Sequence, residues 1–455
     1  MQVNRGIFKA YDIRGLVEQD LSLEFATGLG KAFATFLGRE LQKTDMAVVV
    51  GRDMRPSSLP LQTALIDGLT SLGVHVVDIG LVSTPAFYFG VADTGADGGI
   101  MVSASHNPAQ YNGFKMVRAR AVPIGGDTGI TAMADIMERE DFAAAAMGSV
   151  KTLDGAPAAC VAMETAFANV PSLPKMQLVA DSANGMGAQF LDLMFAAQPN
   201  VDVTRMFWEF DGTFPNHEAD PFKAENIAPL CAKVKELGAD VGIATDGDGD
   251  RIFFVDNMGE VVEPAIVRGL IARALLRRYP GAKICYDIRP GKITEDMIRD
   301  AGGVPVVTRV GHALIKATMI AEGAIYAGES SGHFYVRFPN GSYEGPVATA
   351  LILLDELVQS GKTFAEFVAP FKKYAHSGEI NFTVADKGAM LAQLKEKYAD
   401  AVIVELDGVS FTYPTFWFNV RASNTESLLR LNLEAVDNAT MMAKRDEIAA
   451  LLAAG

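Results

Sequence analysis

The chain has 455 residues, which is too long for one typical hydrophobic core, so three or four domains are expected. Its hydrophobic content of 49% and its charged content of 21% are those of an ordinary globular protein. The net charge of −15 argues against nucleic acids and anionic membrane surfaces as partners. An anionic ligand would therefore have to be bound by a local cluster of Lys, Arg or His.

The cysteines Cys160, Cys231 and Cys285 are isolated and odd in number, which is typical of buried thiols in a reducing compartment. The first residues lack the apolar stretch of a signal peptide, and no run of about 18 apolar residues occurs in the chain. The sequence therefore predicts a cytoplasmic protein that has no membrane partner.

Short apolar runs that end in polar loops organise the first third of the chain. A serine, Ser57, is expected to cap the first predicted helix, whose apolar residues Leu61, Ala64, Leu65 and Leu69 recur at helical spacing. The pattern predicts strands over residues 47–50, 74–79 and 100–102, and helices over 57–72 and 85–91.

The same order of strand, helix, strand and polar loop appears twice more. The second segment predicts strands over 178–180, 201–207 and 241–244 and a helix over 224–237. The third predicts strands over 284–288, 304–307 and 324–327 and helices over 293–301 and 312–321. From about Pro370, short alternating runs over 379–384, 401–405, 416–420 and 428–433, with a helix from Asp437, predict a small α+β domain.

The stretch from Gly98 to Lys115 ends a buried strand in a polar loop. Pro108 disfavours helical geometry at Asn107, so the chain must turn out of the sheet here. Ser105 and His106 are thus presented at a strand end, where open α/β folds bind ligands. An ordinary Ser/Asn/Pro turn is the alternative for this pair taken alone.

A second loop alternates glycines with three aspartates, Asp246, Asp248 and Asp250. Three carboxylates turned onto one point repel unless a divalent cation lies between them, and oxygen ligands suit Mg²⁺. An EF-hand loop requires Gly at its sixth position and Glu at its twelfth, where this chain has Arg251 and Asn257. A solvated acidic turn is the remaining alternative to a metal site. We expect the loop to lie at the surface of a cleft.

A serine, a metal-binding loop and several cationic residues together indicate phosphoryl transfer. Glu329 and Ser331 offer acceptors suited to sugar hydroxyls. A set of Arg421, Ser423, Asn424 and Thr425 can bind a phosphate that does not react, although a surface turn is the alternative there.

Five motifs occur in the order found in the α-D-phosphohexomutase superfamily, and the chain resembles most its phosphomannomutase/phosphoglucomutase branch. They cover essentially the whole chain. The motifs are Tyr11-Asp-Ile-Arg14-Gly, Ser103-Ala-Ser105-His-Asn-Pro108, Asp246-Gly-Asp-Gly-Asp-Arg251, Gly328-Glu-Ser-Ser-Gly-His333 and Arg421-Ala-Ser-Asn-Thr-Glu426.

The resemblance implies three similar α/β domains with mixed sheets and a C-terminal α+β domain, heart-shaped around a central cleft. Each domain contributes one loop to the cleft. The implied domains are 1–150 with the phosphoserine loop, 151–254 with the metal-binding loop, 255–370 with the sugar-binding loop and 371–455 with the phosphate-binding loop.

The resemblance also implies roles for individual residues. Ser105 would be the phosphoserine, and its phosphate would bind Mg²⁺ together with Asp246, Asp248 and Asp250. Glu329 and Ser331 would read the 3- and 4-hydroxyls of the sugar, and the loop of Arg421, Ser423, Asn424 and Thr425 would bind the distal phosphate. Further catalytic residues would be His106, Lys115, Arg14 and Arg251, with Lys115 and Arg14 the first choices for general acid or base. Further substrate-binding residues would be Lys9, Tyr11, Arg289, His312 and His333.

The implied reaction is the reversible conversion of hexose 1-phosphate to hexose 6-phosphate, for mannose, glucose or both. It would pass through a hexose 1,6-bisphosphate, which also serves as activator and must turn around in the cleft, and the partners would be small sugar phosphates. The alternatives are a phosphoglucosamine mutase, a metal-dependent sugar phosphatase with a serine nucleophile and a non-catalytic sugar-phosphate binding protein.

Two positions depart from the pattern of the superfamily. Ser427 stands where relatives often have Pro, and Asp287-Ile-Arg289 stands where they tend to have a lysine. The role of Arg289 is therefore open, as are the preferred sugar and the oligomeric state.

Overall fold

The computed structural model describes residues 3–142, 146–289, 291–422 and 428–453. Contacts divide the chain into two compact units. The first unit comprises Met1–Val262 and Ser331–Ala365, and the second comprises Glu263–Ser330 and Glu366–Gly455. The boundaries of the four predicted domains and their heart-shaped arrangement stay predictions.

The strands are numbered in chain order. They are β1 (Ile13–Leu16), β2 (Ala47–Arg52), β3 (His75–Leu81), β4 (Gly98–Val102), β5 (Tyr111–Arg118), β6 (Val150–Thr152), β7 (Met176–Asp181), β8 (Val201–Met206), β9 (Val241–Thr245), β10 (Ile252–Asp256), β11 (Val261–Val262), β12 (Lys283–Asp287), β13 (Val304–Thr308), β14 (Tyr326–Gly328), β15 (Phe334–Arg337), β16 (Ser342–Glu344), β17 (Ala375–Thr383), β18 (Val402–Val404), β19 (Val409–Thr412), β20 (Phe416–Ala422) and β21 (Leu428–Ala435).

The helices are numbered in the same way. They are α1 (Leu23–Leu41), α2 (Ser58–Thr70), α3 (Thr84–Asp93), α4 (Ile130–Arg139), α5 (Ala156–Ala168), α6 (Gly187–Ala196), α7 (Ala224–Leu237), α8 (Pro264–Arg278), α9 (Lys292–Asp300), α10 (His312–Glu322), α11 (Pro346–Ser360), α12 (Phe364–Val368), α13 (Lys387–Lys397) and α14 (Asn438–Ala453).

Two mixed sheets form the centre of the first unit. One has the strand order β1-β5-β4-β2-β3-β6, in which β2, β3, β4 and β6 run parallel and β5 pairs antiparallel with β4. The other has the order β11-β10-β9-β7-β8, with β10 antiparallel to β9. In both sheets a buried parallel strand, β4 or β9, is followed by an antiparallel neighbour, β5 or β10. A polar loop therefore follows the carboxyl end of β4 in one sheet and of β9 in the other.

The helices of the first unit cover these sheets with apolar faces. The α2 residues predicted at helical spacing are all buried, and they share one core cluster with α1. Later in the chain, α11 packs on α5, where the N–H of Ala348 donates to Oε2 of Glu164 at 2.9 Å. Residues 331–365 therefore complete the core of the first unit.

The second unit combines parallel and antiparallel pairing. Strands β13, β12 and β14 are parallel, and helices α8, α9 and α10 connect or flank them. The C-terminal strands form one antiparallel sheet in the order β17-β21-β20-β19-β18. One face of that sheet is apolar and packs against α13 and α14, because its residues alternate along each strand.

The predicted fold class is confirmed: α/β segments with mixed pairing are followed by a C-terminal α+β domain. The predicted cap of α2 is wrong, because Ser57 has helical backbone angles and makes no capping hydrogen bond. Its hydroxyl instead accepts a hydrogen bond from Asn112 at 2.8 Å. Among the helices of the described residues, none combines the length and apolar content needed to cross a bilayer.

Candidate active site

Ser105 occupies an unusual position at the end of the buried strand β4. Its φ is +50°, a left-handed conformation that residues with a Cβ rarely adopt, and only 1% of its surface is exposed. The hydroxyl donates to Oδ2 of Asp246 at 2.7 Å and lies 3.2 Å from Nδ1 of His106. Its N–H donates to Oγ of Ser103 at 3.0 Å. Such backbone strain clusters at functional sites, so the loop identifies Ser105 as the residue of interest.

The three aspartates follow β9 and converge on this serine. One carboxylate oxygen from each of Asp246, Asp248 and Asp250 lies within 4.8 Å of the others, and all three residues are buried. Burial excludes the solvated acidic turn and corrects the expectation that this loop lies at a surface. The reason is that the Ser105 loop packs on this loop, and that Thr84 and Lys115 contact Asp248.

Lys115, on β5, supplies the main counter-charge. Its ammonium lies 2.6 Å from Oδ2 of Asp248 and also contacts Oδ2 of Asp250. Burial alone would lower the pKa of Lys115, but these two carboxylates outweigh it and hold that pKa well above the ordinary value. Lys115 therefore carries a full charge in the metal-free protein.

The aspartates differ in their electrostatic surroundings. Burial, reinforced by the charges of Asp250 and Asp248, raises the pKa of Asp246 well above its ordinary value. Burial acts in the same direction on Asp250, but Lys115 and then His333 outweigh it and hold the pKa of Asp250 well below the ordinary value. These surroundings favour the neutral form of Asp246 and the charged form of Asp250.

The glycines between the aspartates permit this close approach. A Cβ on Gly247 would lie 2.4 Å from the carbonyl oxygen of Ser105, so only glycine lets the two loops touch at this point. Gly249 has a φ of +75°, which favours glycine.

The donor set fits a hard divalent cation. Oδ1 of Asp248 is buried and has no hydrogen-bond partner among the described residues. A buried carboxylate oxygen without a partner is costly unless a ligand satisfies it. Asp246, Asp248, Asp250 and the Ser105 hydroxyl provide only oxygen ligands, which hard divalent ions prefer.

Two further basic residues, Arg251 and His333, lie beside the carboxylates. Arg251 donates its backbone N–H to Oδ1 of Asp246 at 3.1 Å, and its side chain lies 3.5 Å from Asp220. Nε2 of His333 is 3.2 Å from Oδ1 of Asp250, and Nδ1 of His333 is 2.9 Å from Oγ of Ser331. These groups can offset the charge of a transferring phosphoryl group.

Arg14 and His106 lie on the other side of Ser105. Arg14 is paired with Asp12 at 2.8 Å and also donates to Oδ1 of Asn107 in the Ser105 loop. Burial opposes the charge of Arg14, but Asp12 outweighs it and raises the pKa of the guanidinium. Burial, followed by the charges of Arg251 and Arg14, lowers the pKa of His106 well below its ordinary value. His106 is therefore neutral at physiological pH.

In the second unit, Glu329 belongs to a buried chain of charges. Its Oε1 accepts from the N–H of Gly311 at 3.0 Å and lies 3.5 Å from Nη2 of Arg289. Arg289 pairs with Asp287, which in turn pairs with the buried Arg268 at 3.0 Å. Burial would raise the pKa of Asp287, but Arg289 and Arg268 outweigh it and lower that pKa.

Arg421 ends strand β20 on the polar face of the C-terminal sheet. It is 5% exposed and lies 2.8 Å from Oε2 of Glu379, whose other oxygen is 3.1 Å from Arg430. Burial opposes ionisation of Glu379, but Arg421 and Arg430 outweigh it and lower its pKa, and Arg289 acts in the same direction. Arg421 is thus a buried, oriented guanidinium and not part of a surface turn.

Models of the phosphoglucomutase/phosphomannomutase family match this chain in four successive segments. These are the α/β/α domains I, II and III over residues 5–144, 161–259 and 264–374, and the C-terminal domain over 379–451. The phosphohexose mutases of Xanthomonas campestris are 40% identical over 450 residues, which are 98% of each chain. The chain belongs to this family.

Two further relatives agree with this assignment. A phosphomannomutase of Salmonella montevideo is 38% identical over 461 residues, covering 99% of each chain. The crystal structure of a phosphoglucomutase/phosphomannomutase family protein from Burkholderia thailandensis superimposes with a TM-score of 0.89 at 32% identity, covering 99% of this chain and 98% of that one. As a member of the family that matches these relatives over 98–99% of their length, the chain is a phosphohexomutase, an isomerase of hexose phosphates.

The structure brings most residues predicted for this phosphohexomutase into two groups, one in each unit. The first group comprises Ser105, His106, Lys115, Arg14, Asp246, Asp248, Asp250, Arg251, Ser331 and His333. The second comprises Arg289, Glu329 and Arg421, with His312 at the start of α10.

The other predicted residues lie before β1 or outside the described residues. Lys9 and Tyr11 lie in the segment before β1, where the Lys9 N–H donates to the carbonyl of Asp12 at 2.9 Å. The predicted phosphate-loop residues Ser423, Asn424 and Thr425, and the departure at Ser427, lie outside the described residues.

Three residues of this phosphohexomutase were not predicted. The hydroxyl of Thr84 donates to Oδ2 of Asp248 at 2.6 Å, and that of Ser103 lies 3.4 Å from the same oxygen. Glu379 orients Arg421. Thr84 is the first residue of α3, in the sequence Ser83-Thr84-Pro85. This helix-capping pattern is the sequence signal that could have placed Thr84 at the end of a loop.

Proposed function

We propose that this phosphohexomutase interconverts hexose 1-phosphate and hexose 6-phosphate, for mannose, glucose or both, through phospho-Ser105. The observation that carries the proposal is the strained, buried Ser105, whose hydroxyl donates to a carboxylate of the aspartate cluster. A phosphoryl group on that oxygen would lie beside the proposed metal ligands in a buried position, where contact with bulk water is limited.

In the first step, the free hydroxyl oxygen of the sugar attacks the phosphorus of phospho-Ser105. The bond from phosphorus to Oγ breaks as the new ester bond forms, the hydroxyl proton leaves the sugar, and Oγ recovers a proton. The product is a hexose 1,6-bisphosphate. After it reorients, Ser105 Oγ loses its proton and attacks the other phosphorus. The bond from that phosphorus to the sugar oxygen breaks, the sugar oxygen takes up a proton, and the isomeric monophosphate leaves. The bisphosphate is thus an intermediate of every turnover. It can also phosphorylate Ser105 when that residue has lost its phosphoryl group.

Mg²⁺ is the proposed metal, and it would be held by Asp246, Asp248, Asp250 and the phosphate on Ser105. When bound, it neutralises charge on the transferring group. The support is the all-oxygen donor set with the unpartnered Oδ1 of Asp248. Lys115 remains beside the same carboxylates, so it can orient the phosphoryl oxygens and limit repulsion within the cluster.

Proton transfer requires a group near Ser105 that is not a metal ligand. Lys115 and Arg14 are the first candidates for general acid or base, and which of the nearby groups acts as either stays open; His106 is a neutral neighbour of the hydroxyl. Arg251 supports the phosphoserine loop, since its backbone N–H fixes Asp246, the acceptor of the Ser105 hydrogen bond. Lys9 and Tyr11 remain proposed contacts to substrate.

Substrate recognition is assigned to the remaining residues. Glu329 and Ser331 would accept hydrogen bonds from the 3- and 4-hydroxyls, and His312 and His333 would flank the sugar. Arg289 would orient Glu329, with which it is paired. Arg421 would bind the phosphate that is not reacting, together with Ser423, Asn424 and Thr425.

One experiment separates this proposal from its alternatives. Mannose, glucose and glucosamine 1-phosphates are supplied with glucose 1,6-bisphosphate, and both 6-phosphate and inorganic phosphate are measured. Isomerisation of mannose or glucose phosphate without phosphate release supports the proposal, and a faster glucosamine reaction would favour a phosphoglucosamine mutase. Stoichiometric phosphate release would favour a phosphatase. Intact mass with peptide mapping should place a phosphoryl group on Ser105. A Ser105→Ala variant that carries no phosphoryl group and keeps full activity would refute the mechanism.

A further inference from the structure

Arg55 is a completely buried arginine that is bound to the Ser105 loop. Its Nη1 donates to the carbonyl oxygens of Pro108 and Tyr111, both at 2.9 Å. Its Nη2 donates to the carbonyl oxygens of Ser105 at 2.9 Å and Asn107 at 2.6 Å. All four terminal N–H groups are therefore used on backbone oxygens of one short loop, a pattern that only the planar guanidinium provides.

The guanidinium is itself held in place. Its Nε lies 3.3 Å from Oδ2 of Asp53, and Oδ1 of Asp53 accepts from the backbone N–H of Arg55 and from the hydroxyl of Ser58. The ring of Phe214 covers the guanidinium at 5.0 Å. Gly212 packs directly on the backbone, since a Cβ there would lie 2.5 Å from Cα of Arg55.

This arrangement bears directly on the strained residue. Ser105 has a φ of +50°, and its carbonyl oxygen, which Arg55 binds, is the atom that Gly247 of the metal-binding loop touches. A left-handed serine persists only where its surroundings over-determine the backbone. The four hydrogen bonds of Arg55 supply that constraint on one side of the loop.

We propose that Arg55 is a positioning residue for phosphoryl transfer: it holds the backbone of Ser105 so that Oγ points at the aspartate cluster. This inference rests on the proposed role of Ser105. In the Ser105 loop, Arg55 binds only backbone oxygens, and its hydrogen bonds and ion pair to described residues include none to the proposed substrate-binding residues or to the carboxylates of the metal loop. Its loss should therefore affect the transfer step and leave substrate binding nearly unchanged.

The test is Arg55→Lys, which keeps the charge and the buried stem but supplies one donor group in place of the fork. A displacement of the reacting oxygen by about 1 Å costs about 10²-fold in rate, so kcat should fall by about 10²-fold while KM changes by less than about threefold. The rate at which glucose 1,6-bisphosphate phosphorylates Ser105, followed by intact mass, should fall by the same factor.

Arg118→Lys is the matched control. Arg118 also donates to a backbone carbonyl, that of Thr128, and lies over an aromatic ring, that of Phe36 at 5.5 Å, but it does not contact the Ser105 loop. This variant should retain the kcat of the unmodified enzyme. An equal loss in both variants would show a general effect of removing a guanidinium and would overturn the proposal.

The outcomes separate this inference from the proposed function. If the unmodified enzyme is not phosphorylated on Ser105, the proposed function fails. If it is phosphorylated and active, a kcat of Arg55→Lys within threefold of normal overturns the role of Arg55 alone. Should Arg55→Lys not fold, Asp53→Asn loosens the guanidinium without removing it. That variant must then show the same selective loss of kcat, and an unchanged kcat would refute the role.

Discussion

Lys115 Nζ lies 2.6 Å from Oδ2 of Asp248, and both side chains are almost completely inaccessible to solvent. The ammonium also contacts Asp250, so one lysine faces two of the three aspartates that are proposed to bind the metal. In the metal-free protein this contact has to compensate most of the repulsion within the cluster.

Removing Lys115 should therefore destabilise the metal-free enzyme. Breaking a buried pair by deleting one partner costs about 3–5 kcal/mol, because the other charge remains buried. We expect Lys115→Met to lose that amount of unfolding free energy in EDTA, and to recover part of it in Mg²⁺, which binds the same carboxylates. Urea unfolding in both conditions measures this. Lys43→Met removes an exposed lysine paired with Asp97 and should cost less than about 1 kcal/mol.

Asp248→Asn should weaken binding of Mg²⁺ and reduce turnover by orders of magnitude, because the metal offsets charge on the transferring phosphoryl group. Isothermal titration with Mg²⁺ and steady-state kinetics measure the two effects. The control Asp192→Asn changes an exposed aspartate paired with Arg205 and should alter neither. Full turnover of the unmodified enzyme in excess EDTA would contradict the metal requirement.

Arg421→Ala tests the assignment of the distal phosphate. Such a contact exists in both ground and transition states, so its loss appears mainly in KM. A charge-assisted bidentate contact is worth roughly 1.5–3 kcal/mol, which corresponds to an increase in KM of about 10- to 100-fold. The increase should be similar for mannose and glucose 1-phosphates, and Arg421→Lys should restore part of the affinity.

The control for this series is Arg299→Ala, which removes an exposed arginine of the same unit that pairs with Glu295. It should leave KM unchanged. A normal KM in Arg421→Ala would remove Arg421 from the substrate site.

Glu164 should make stability depend on pH. Burial raises the pKa of Glu164 to about 8, against an ordinary value of 4.5. Because the folded pKa is the higher one, the stability from the protonated carboxyl is fully present below about pH 4.5 and is lost as the pH rises through about 8. Glu164→Gln removes this titration, so between about pH 5 and 8 the unmodified protein should lose more unfolding free energy than the variant. Parallel slopes for the two proteins in urea unfolding would refute it.

The strand ends with their loops were predictable from the sequence because an apolar run followed by Gly, Ser, Asp or Pro is a local signal. The three α/β segments and their loops were therefore predicted near their observed positions. Helix α1 and strand β5 were not predicted, although β5 carries Lys115.

Contacts between distant parts of the chain were not predictable. The hydroxyl of Ser57 accepts a hydrogen bond from Asn112 and does not cap α2. The aspartate loop was expected at a surface, but it is buried beneath contacts from the Ser105 loop, Thr84 and Lys115. Thr84 reaches Asp248 across 164 positions, and no local pattern encodes that distance. Buried charges such as Asp248 depend on such partners, so their burial follows from the tertiary structure alone.

The first unit is discontinuous, and this has a consequence for how the enzyme is made. Its last elements, β15, β16 and α11, come after α8, α9 and α10 in the chain. Even so, the N–H of Ala348 in α11 donates to Glu164 in α5, which belongs to the same unit. A nascent chain that ends at Val262 contains Ser105 and all three aspartates but lacks the helix that satisfies Glu164. The N-terminal half therefore cannot complete its core during translation until residues 331–365 have been synthesised, so its apolar surface stays exposed while the intervening segment is made.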